Sequence, residues 1–468
     1  MKRERTAWVV SLVLMAILAF RLPGSLAQRD DDYSFVRKLV DIHRQITTNY
    51  VEPVVENDLR NKAIAGMMSD LDPFSVYVPP AEQENFDRML DDSFRGVGIE
   101  FELDDGKATV VSPIEDSPAF AAGVLAGDVI QKVDGSPIEG LGMTDIAKKI
   151  TGPVGSKVTL TVLHPNGDVA NLSMERREIV MTTVKGYHRN PDASWNYYIE
   201  NTPKIAYLRI TQFTENTADE MHDALVGKAA EPGKPAVPGI MDTGIKGLIL
   251  DLRFNPGGRL DQAIKVVNMF VKEGVIVSTK GRNRPENIVK ATGEGTLPYF
   301  PMIVLVNEHS ASAAEIVSGS LKDNHRALIV GQRTYGKGSV QELIPLEDNG
   351  GELKLTVAYY YLPSGRLVHR KKDATDWGVE PQIIVPLDDD GERQVLQTRS
   401  DNEAIRAVGS RATTRATAAA TQPVDAQMEQ AINTMVGLIV LQPPPVAPPA
   451  SNVGAPQAAI PSAPSGKL

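Results

Sequence analysis

The chain reads as a multidomain α/β protein: a layered α/β core, a small β-rich domain inserted before it, a helical N-terminal segment and a disordered C-terminal tail. Three observations predict this. In the core, apolar strands alternate with helices: GLILDLR (247–253), a helix near Leu260–Val271, PMIVLVN (301–307), a helix near Ala313–Asp323, and ALIVG (327–331). Such alternation builds a layered sheet. Between Phe94 and Glu178 the pattern is instead short strands separated by glycine turns. Beyond about Asp388 the chain turns low in complexity, ending in the Pro/Ala-rich run QPPPVAPPASNVGAPQAAIPSAPSGKL (442–468), which cannot bury enough apolar surface to fold.

Each segment has its own signal. Lys2, Arg3 and Arg5 precede an apolar stretch from Thr6 to Phe20, and Ser25-Leu26-Ala27 offers small residues for cleavage. Residues 1–27 are therefore expected to be a signal peptide or membrane anchor, which places the protein in the periplasm or cell envelope. Residues 28–92 are expected to be helical, since Phe35, Leu39, Ile42 and Ile46 recur at three- and four-residue spacing and a second helix near Asn57–Leu71 stops at Asp72-Pro73. The β-rich domain is assigned to 93–178 and the α/β core to 179–390. A low-complexity linker follows at 391–424, then a helix at 425–441.

Composition removes several functions. The chain has 468 residues, no cysteine and a net charge of -10, so thiol catalysis, disulfides and cysteine-ligated zinc are excluded and a generic nucleic-acid binder is disfavoured. The seven histidines show no His-Glu-x-x-His, and neither metal nor cofactor is expected.

Four motifs could carry chemistry. In the β-rich domain, Gly96-Val97-Gly98-Ile99 ends a turn and opens a strand, so its N–H groups can form a nest for a carboxylate. A strand edge and a helix near Met143–Ile150 would flank a groove for an extended peptide. In the core, strand 247–253 breaks into Asn255-Pro256-Gly257-Gly258, whose glycines allow close backbone approach to a ligand. The stretch NEHSASAAEIVSG (307–319) puts Ser312 at or beside a helix N-cap, with the Ala313 N–H free at the positive end of the helix. Capping with small-residue packing is the plain alternative, and Ser312 can do both. His309, only three residues before Ser312, and His325 with Asp323, beyond the far end of the helix, are poorly placed for a Ser-His-Asp triad. Lys337 is the better base. Gly336 and Gly338 let the chain close around it, and a poorly solvated amine can accept a proton. A phosphate-binding reading of Gly331–Lys337 fails because Gly338 stands where Ser or Thr is needed and a strand follows where a helix is required.

With these pieces in order, the chain resembles the carboxyl-terminal processing (tail-specific) proteases over roughly residues 33–388. NYVEPV (49–54), SDLDPFSVYV (69–78), DSPAFAAGVLAGDVIQKVDG (116–135), DLRFNPGG (251–258), SASAAEIVSGSLKDNHRA (310–327) and YGKGSVQ (335–341) carry the likeness. It implies a crotonase-like layered core and a PDZ domain at 93–178 that reads the substrate carboxylate with Gly96, Val97, Gly98 and Ile99. It implies Ser312 as nucleophile, Lys337 as general base and Gln341 as the residue that orients the lysine. Oxyanion donors would be the N–H groups of Gly258, Ala313 and, less directly, Gly257. Glu315 and Asp323 fall where the family usually has acids, while His309 replaces a small or apolar residue. The implied activity is a serine endopeptidase that works on C-terminal tails of envelope proteins through an acyl-enzyme, without a cofactor. An adaptor protein, a homo-oligomer and membrane contact through an uncleaved N-terminus stay open. So do two other functions: a catalytically silent PDZ scaffold, and a small-molecule carrier on the same α/β core.

Overall fold

The computed structural model describes residues 33–83, 93–104, 106–114, 117–180, 182–230, 235–405 and 425–441. The expected signal segment at 1–27 and the Pro/Ala-rich run at 442–468 lie outside them. The chain forms two compact units, one from Met1–Asp91 with Val340–Ala358, the other from Asp92–Ser339 with Tyr359–Leu468.

The larger unit is organised by a six-stranded sheet. Its central strands, β1 (Ile205–Ile210), β2 (Gly247–Asp251), β3 (Met302–Val306) and β4 (Leu328–Gly331), run parallel in that order. Val184–Lys185 pairs antiparallel at one edge, and Ile383–Ile384 pairs parallel at the other. A parallel sheet is covered on both faces, which is why β2 and β3 are continuous apolar runs rather than alternating ones. Helix α1 (Leu260–Asn268) follows β2 and α2 (Ala313–Asp323) connects β3 to β4; these two helices pack on each other. Helix Thr217–Val226 packs on α1, and α3 (Asp389–Glu403) and α4 (Ala426–Leu441) follow β4. Ala431 and Met435 of α4 are buried against Ile205, Tyr207, Ile249, Ile303 and Leu305. A Cβ on Gly247 would fall 2.4 Å from the Met435 sulfur, so the glycine is what admits this helix.

Helix α3 corrects the start of the linker expected at 391–424, because regular structure continues to Glu403. The composition misleads here: Val395 is the one buried residue of this helix, and long-range charge pairs hold the rest. Glu403 pairs with Lys185 at 2.7 Å and with Arg209. Arg399 Nη2 donates to Asp251 Oδ2 at 2.7 Å. That carboxylate also receives the fully buried Arg253, whose guanidinium reaches Asp425 (2.9 Å) and Gln427 (3.1 Å) at the start of α4. Burial alone would raise the Asp251 pKa, but Arg253 and Arg399 outweigh it and hold the carboxyl well below its ordinary range.

Ahead of this core, an antiparallel sheet orders Ile99–Asp104, Lys107–Pro113, Val129–Val133, Lys157–Leu163 and Val169–Glu175 around its own apolar cluster. Strand Ile99–Asp104 lies at one end of that order, and helix Met143–Ile150 buries Ile146 and Ile150 in the cluster.

The smaller unit has helices at 33–49 and Glu56–Met68, and strand Val76–Val78 pairs antiparallel with Glu352–Lys354. Asp72 holds its loop together, accepting from the Ser75 hydroxyl (2.7 Å), the Phe74 N–H (2.8 Å) and the Thr356 hydroxyl (3.2 Å).

Removing one member of a buried charge cluster strands the others without partners, at a cost of about 3–5 kcal/mol. Arg253→Ala is therefore expected to lower the melting temperature more than Asp425→Ala, because it leaves the fully buried Asp251 short of a cation.

Candidate active site

Three segments leave the same edge of the core sheet. Strands β2, β3 and β4 are parallel neighbours, so residues 255–258, 307–312 and 334–338 all emerge at their carboxyl ends, where open α/β sheets place their ligands.

Ser312 is the N-cap of α2 and has φ 52° and ψ -114°, a conformation L-residues rarely adopt. The preceding turn forces it. Ser310 Oγ donates to the Leu252 carbonyl (2.8 Å) and accepts the Asn307 N–H (3.0 Å), while the Ala311 N–H bonds to the Asn255 carbonyl (2.9 Å). Such a strained strand-to-helix turn pushes its side chain out of the backbone path, as in nucleophile elbows. Ser318, by contrast, returns its hydroxyl to the Ala314 carbonyl within the helix (2.7 Å).

The glycines after β2 meet this turn directly. A Cβ on Gly257 would lie 2.6 Å from Ser312 Cβ and 3.0 Å from the Ala313 nitrogen. The N–H and C=O of one peptide unit point in opposite directions. The Gly257 carbonyl accepts from the Phe213 N–H (2.8 Å), so the Gly258 N–H faces away from Phe213. The Ser312 carbonyl accepts from Glu315 and Ile316, so the Ala313 N–H faces out of the helix end. Gly257's own N–H donates to Asn255 Oδ1 at 2.8 Å.

Glu315 ties the remaining segment in. One carboxylate oxygen accepts the N–H groups of Ser312 (2.9 Å) and Lys337 (2.8 Å); the other accepts the Gly336 N–H (2.7 Å) and the Thr334 hydroxyl (2.5 Å). The backbones of Ser312 and Lys337 thus converge on a single atom. Lys337 is half-buried between buried glycines. A Cβ on Gly336 would fall 2.7 Å from Trp377, and one on Gly338 2.3 Å from the His369 nitrogen, so both glycines are needed for the segment at 368–370 to lie against the lysine's backbone.

The histidines go elsewhere. His309 turns Nε2 to Glu392 (3.2 Å), and His325 lies past the C-cap of α2 with φ 54°. Asp323 accepts the Ser364 N–H at 3.1 Å. Gln341 belongs to the smaller unit, where its amide donates to the Thr356 hydroxyl at 3.3 Å.

In the β-rich domain, Val97 is buried. The carbonyls of Val97 and Gly98 turn inward to accept the Ala119 N–H (2.8 Å) and the Ile114 N–H (3.0 Å). The same peptide geometry points the N–H groups of Gly98 and Ile99 the other way, away from those two acceptor carbonyls. Gly98 has φ 79°, and a Cβ there would collide with Ser117 at 2.3 Å. Gly96 pairs with Arg177.

Comparison with known proteins agrees with this layout. The profile of peptidase family S41 matches residues 204–385, that of PDZ domains matches 96–175, and that of the activating protease CtpB N-terminal domain matches 21–81. The chain is 38% identical over 355 residues to a carboxy-terminal-processing protease of Bartonella bacilliformis, covering 75% of each chain. This chain belongs to peptidase family S41. It is also 34% identical to the carboxy-terminal processing protease CtpA of Bacillus subtilis, covering 75% of this chain and 69% of that one. Among solved structures, a photosystem II D1 C-terminal processing protease aligns at 28% identity and a TM-score of 0.42, covering 73% of this chain and 85% of that chain. This S41 peptidase carries a PDZ domain, as its sequence resemblance implied, and an N-terminal domain that is helical, as the apolar spacing implied.

What the sequence did not show is the clamp. Glu315 stood out in the sequence only as an acid where the resembling family usually has one, and Thr334 and the double anchorage at 336–337 did not stand out at all.

Two outcomes follow from the clamp and the strain. Burial is the largest influence on Glu315 and pushes its carboxyl up to about 6, against the lowering effect of its four hydrogen bonds. A raised carboxyl pKa adds stability that is complete below its ordinary value and lost as pH rises through the folded value. Relative to Glu315→Gln, the wild-type melting temperature should therefore fall as pH rises through about 6. Ser312→Gly should melt higher than Ser312→Ala, since only glycine relieves a backbone strain of about 1–3 kcal/mol.

Proposed function

We propose that this S41 peptidase is a serine endopeptidase in which Ser312 is the nucleophile and Lys337 the general base. It would engage protein substrates by the C-terminal carboxylate through its PDZ domain. Two observations support it: the backbones of Ser312 and Lys337 meet on one buried carboxylate, and Gly257 closes against Ser312 and the Ala313 nitrogen.

The steps use these groups in turn. The N–H groups of Gly98 and Ile99 hold the terminal carboxylate, and the preceding residues add along the edge of Ile99–Asp104 as an extra strand. Lys337, in its neutral form, takes the Ser312 hydroxyl proton as the oxygen attacks the scissile carbonyl. Negative charge builds on the carbonyl oxygen between the N–H groups of Gly258 and Ala313, where the positive end of α2 adds to their effect. Gly257 contributes by approach rather than donation, because its N–H is committed to Asn255. Lys337 returns the proton to the leaving amine, and water then hydrolyses the acyl-enzyme with Lys337 again as base.

Export is part of the proposal. The basic and apolar residues at 1–27 support secretion to the periplasm or envelope, where substrate tails would be those of envelope proteins. A silent PDZ scaffold is the second reading, and cleavage decides between the two.

Ser312→Ala and Lys337→Ala are each expected to lower cleavage of a protein with an unstructured C-terminal tail by about 10³-fold or more, with tail-peptide binding retained. Near-wild-type turnover in Lys337→Ala would refute the dyad. Amidating the substrate's C-terminus should weaken binding and cleavage together; equal processing of acid and amide would refute carboxylate capture.

A further inference from the structure

The turn that leads into Ser312 carries a group of side chains that proteolysis does not use. His309 stands half exposed with its ring stacked on Phe254, centroids 5.3 Å apart and planes 18° from parallel. The Phe254 ring is in turn covered by the Arg399 guanidinium at 5.1 Å. The stack fixes the imidazole so that Nε2 faces Glu392 Oε2 at 3.2 Å, with Glu308 Oε1 at 4.0 Å. All three donor atoms lie within 4.8 Å of one another. Among the described residues this is the one place where three potential metal ligands converge.

The spacing suits a small divalent ion. A tetrahedral ion with bonds near 2.0–2.2 Å sets its ligands about 3.4 Å apart. His309 and Glu392 already meet that separation. Glu308 is exposed, and its oxygen at 4.0 Å from His309 Nε2 must move closer by about 0.6 Å. Glu392 is held in the first turn of α3, its side chain mostly covered, and Asn307 Nδ2 donates to its other oxygen at 3.5 Å. One imidazole and two carboxylates match zinc-class ions rather than calcium or magnesium, which require more oxygen ligands.

We propose that Glu308, His309 and Glu392 form a binding site for a divalent transition-metal ion of the zinc class, whose occupancy ties the turn before Ser312 to helix α3. The sequence reading expected no metal because no His-Glu-x-x-His is present. Here the ligands come from positions 83 residues apart and meet only through the fold. The ion would add one bridge between the end of β3 and a helix already linked to β2 through Arg399 and Asp251. It would leave the Ser312 hydroxyl outside its coordination.

The test is titration of the Ser312→Ala protein with zinc chloride, read by calorimetry and by melting temperature, so that its outcome does not depend on the proteolytic reading. One-to-one binding is expected, with a rise in melting temperature. His309→Phe keeps the ring against Phe254 but removes the ligand, and Glu392→Gln keeps the helix; each should weaken zinc binding at least ten-fold, while magnesium chloride should give no saturable binding. Metal-free melting of both variants establishes that they fold. Equal zinc affinity with and without His309→Phe in the Ser312→Ala protein, equal binding of magnesium, or no one-to-one zinc binding would each overturn the site and leave His309–Glu392 as a hydrogen-bonded pair only.

Discussion

A single buried carboxylate determines how the site is assembled. Glu315 sits in the first turn of α2, where the helix dipole favours an anion, and its oxygens take four donors from two separate segments. Three of those donors are backbone N–H groups. The carboxylate therefore fixes the paths of the chain at Ser312 and Lys337. Parallel topology makes this possible. Strand β3, helix α2 and strand β4 form one crossover unit, so the acid at the start of α2 lies beside the segment that leaves β4. Burying such a charge is costly, as the upward displacement of its pKa shows, and only a full set of donors makes the arrangement tolerable.

The strain at Ser312 belongs to the same construction. A serine at φ 52° relaxes unless its neighbours hold it, and here they hold it from three directions. Ser310 anchors the preceding turn to β2, Ala311 bonds to Asn255, and Glu315 bonds the Ser312 N–H. Gly257 supplies the space. With any side chain there, the loop carrying the Gly258 N–H would be pushed off the Ser312 turn. The apolar strands set where these loops begin, and the polar clips set where they end.

How much of this was readable in the chain follows from the range of the interactions involved. The runs GLILDLR and PMIVLVN announced β2 and β3 because burial on both faces writes an unbroken apolar pattern. Ser312 and Lys337 could be singled out from local features, a helix start and a pair of glycines. What those glycines make room for, the segment at 368–370 and Trp377, lies more than thirty residues on and left no local trace. Helix α3 escaped for the same reason. DDGERQVLQTRSDNE has almost no apolar face, and it is docked by Arg399 and Glu403 to partners 148 and 194 residues away. Periodicity reports burial of apolar surface; it is silent about helices held by charge.

That last feature explains why the core carries buried ions at all. Replacing a buried ion cluster with apolar side chains is often neutral or stabilising, so stability alone does not account for Asp251, Arg253, Arg399 and Asp425. Their position suggests a directional role. Asp251 ends β2, Arg253 is the last residue before the positive-φ turn at Phe254, and Asn255 to Gly258 follow immediately. Apolar contacts would permit several exits from the strand, whereas bidentate guanidinium–carboxylate geometry permits few. By holding Arg253 between Asp251 and Asp425, helices α3 and α4 set the direction in which the chain leaves β2. The C-terminal helices thereby constrain the loop that carries Gly258.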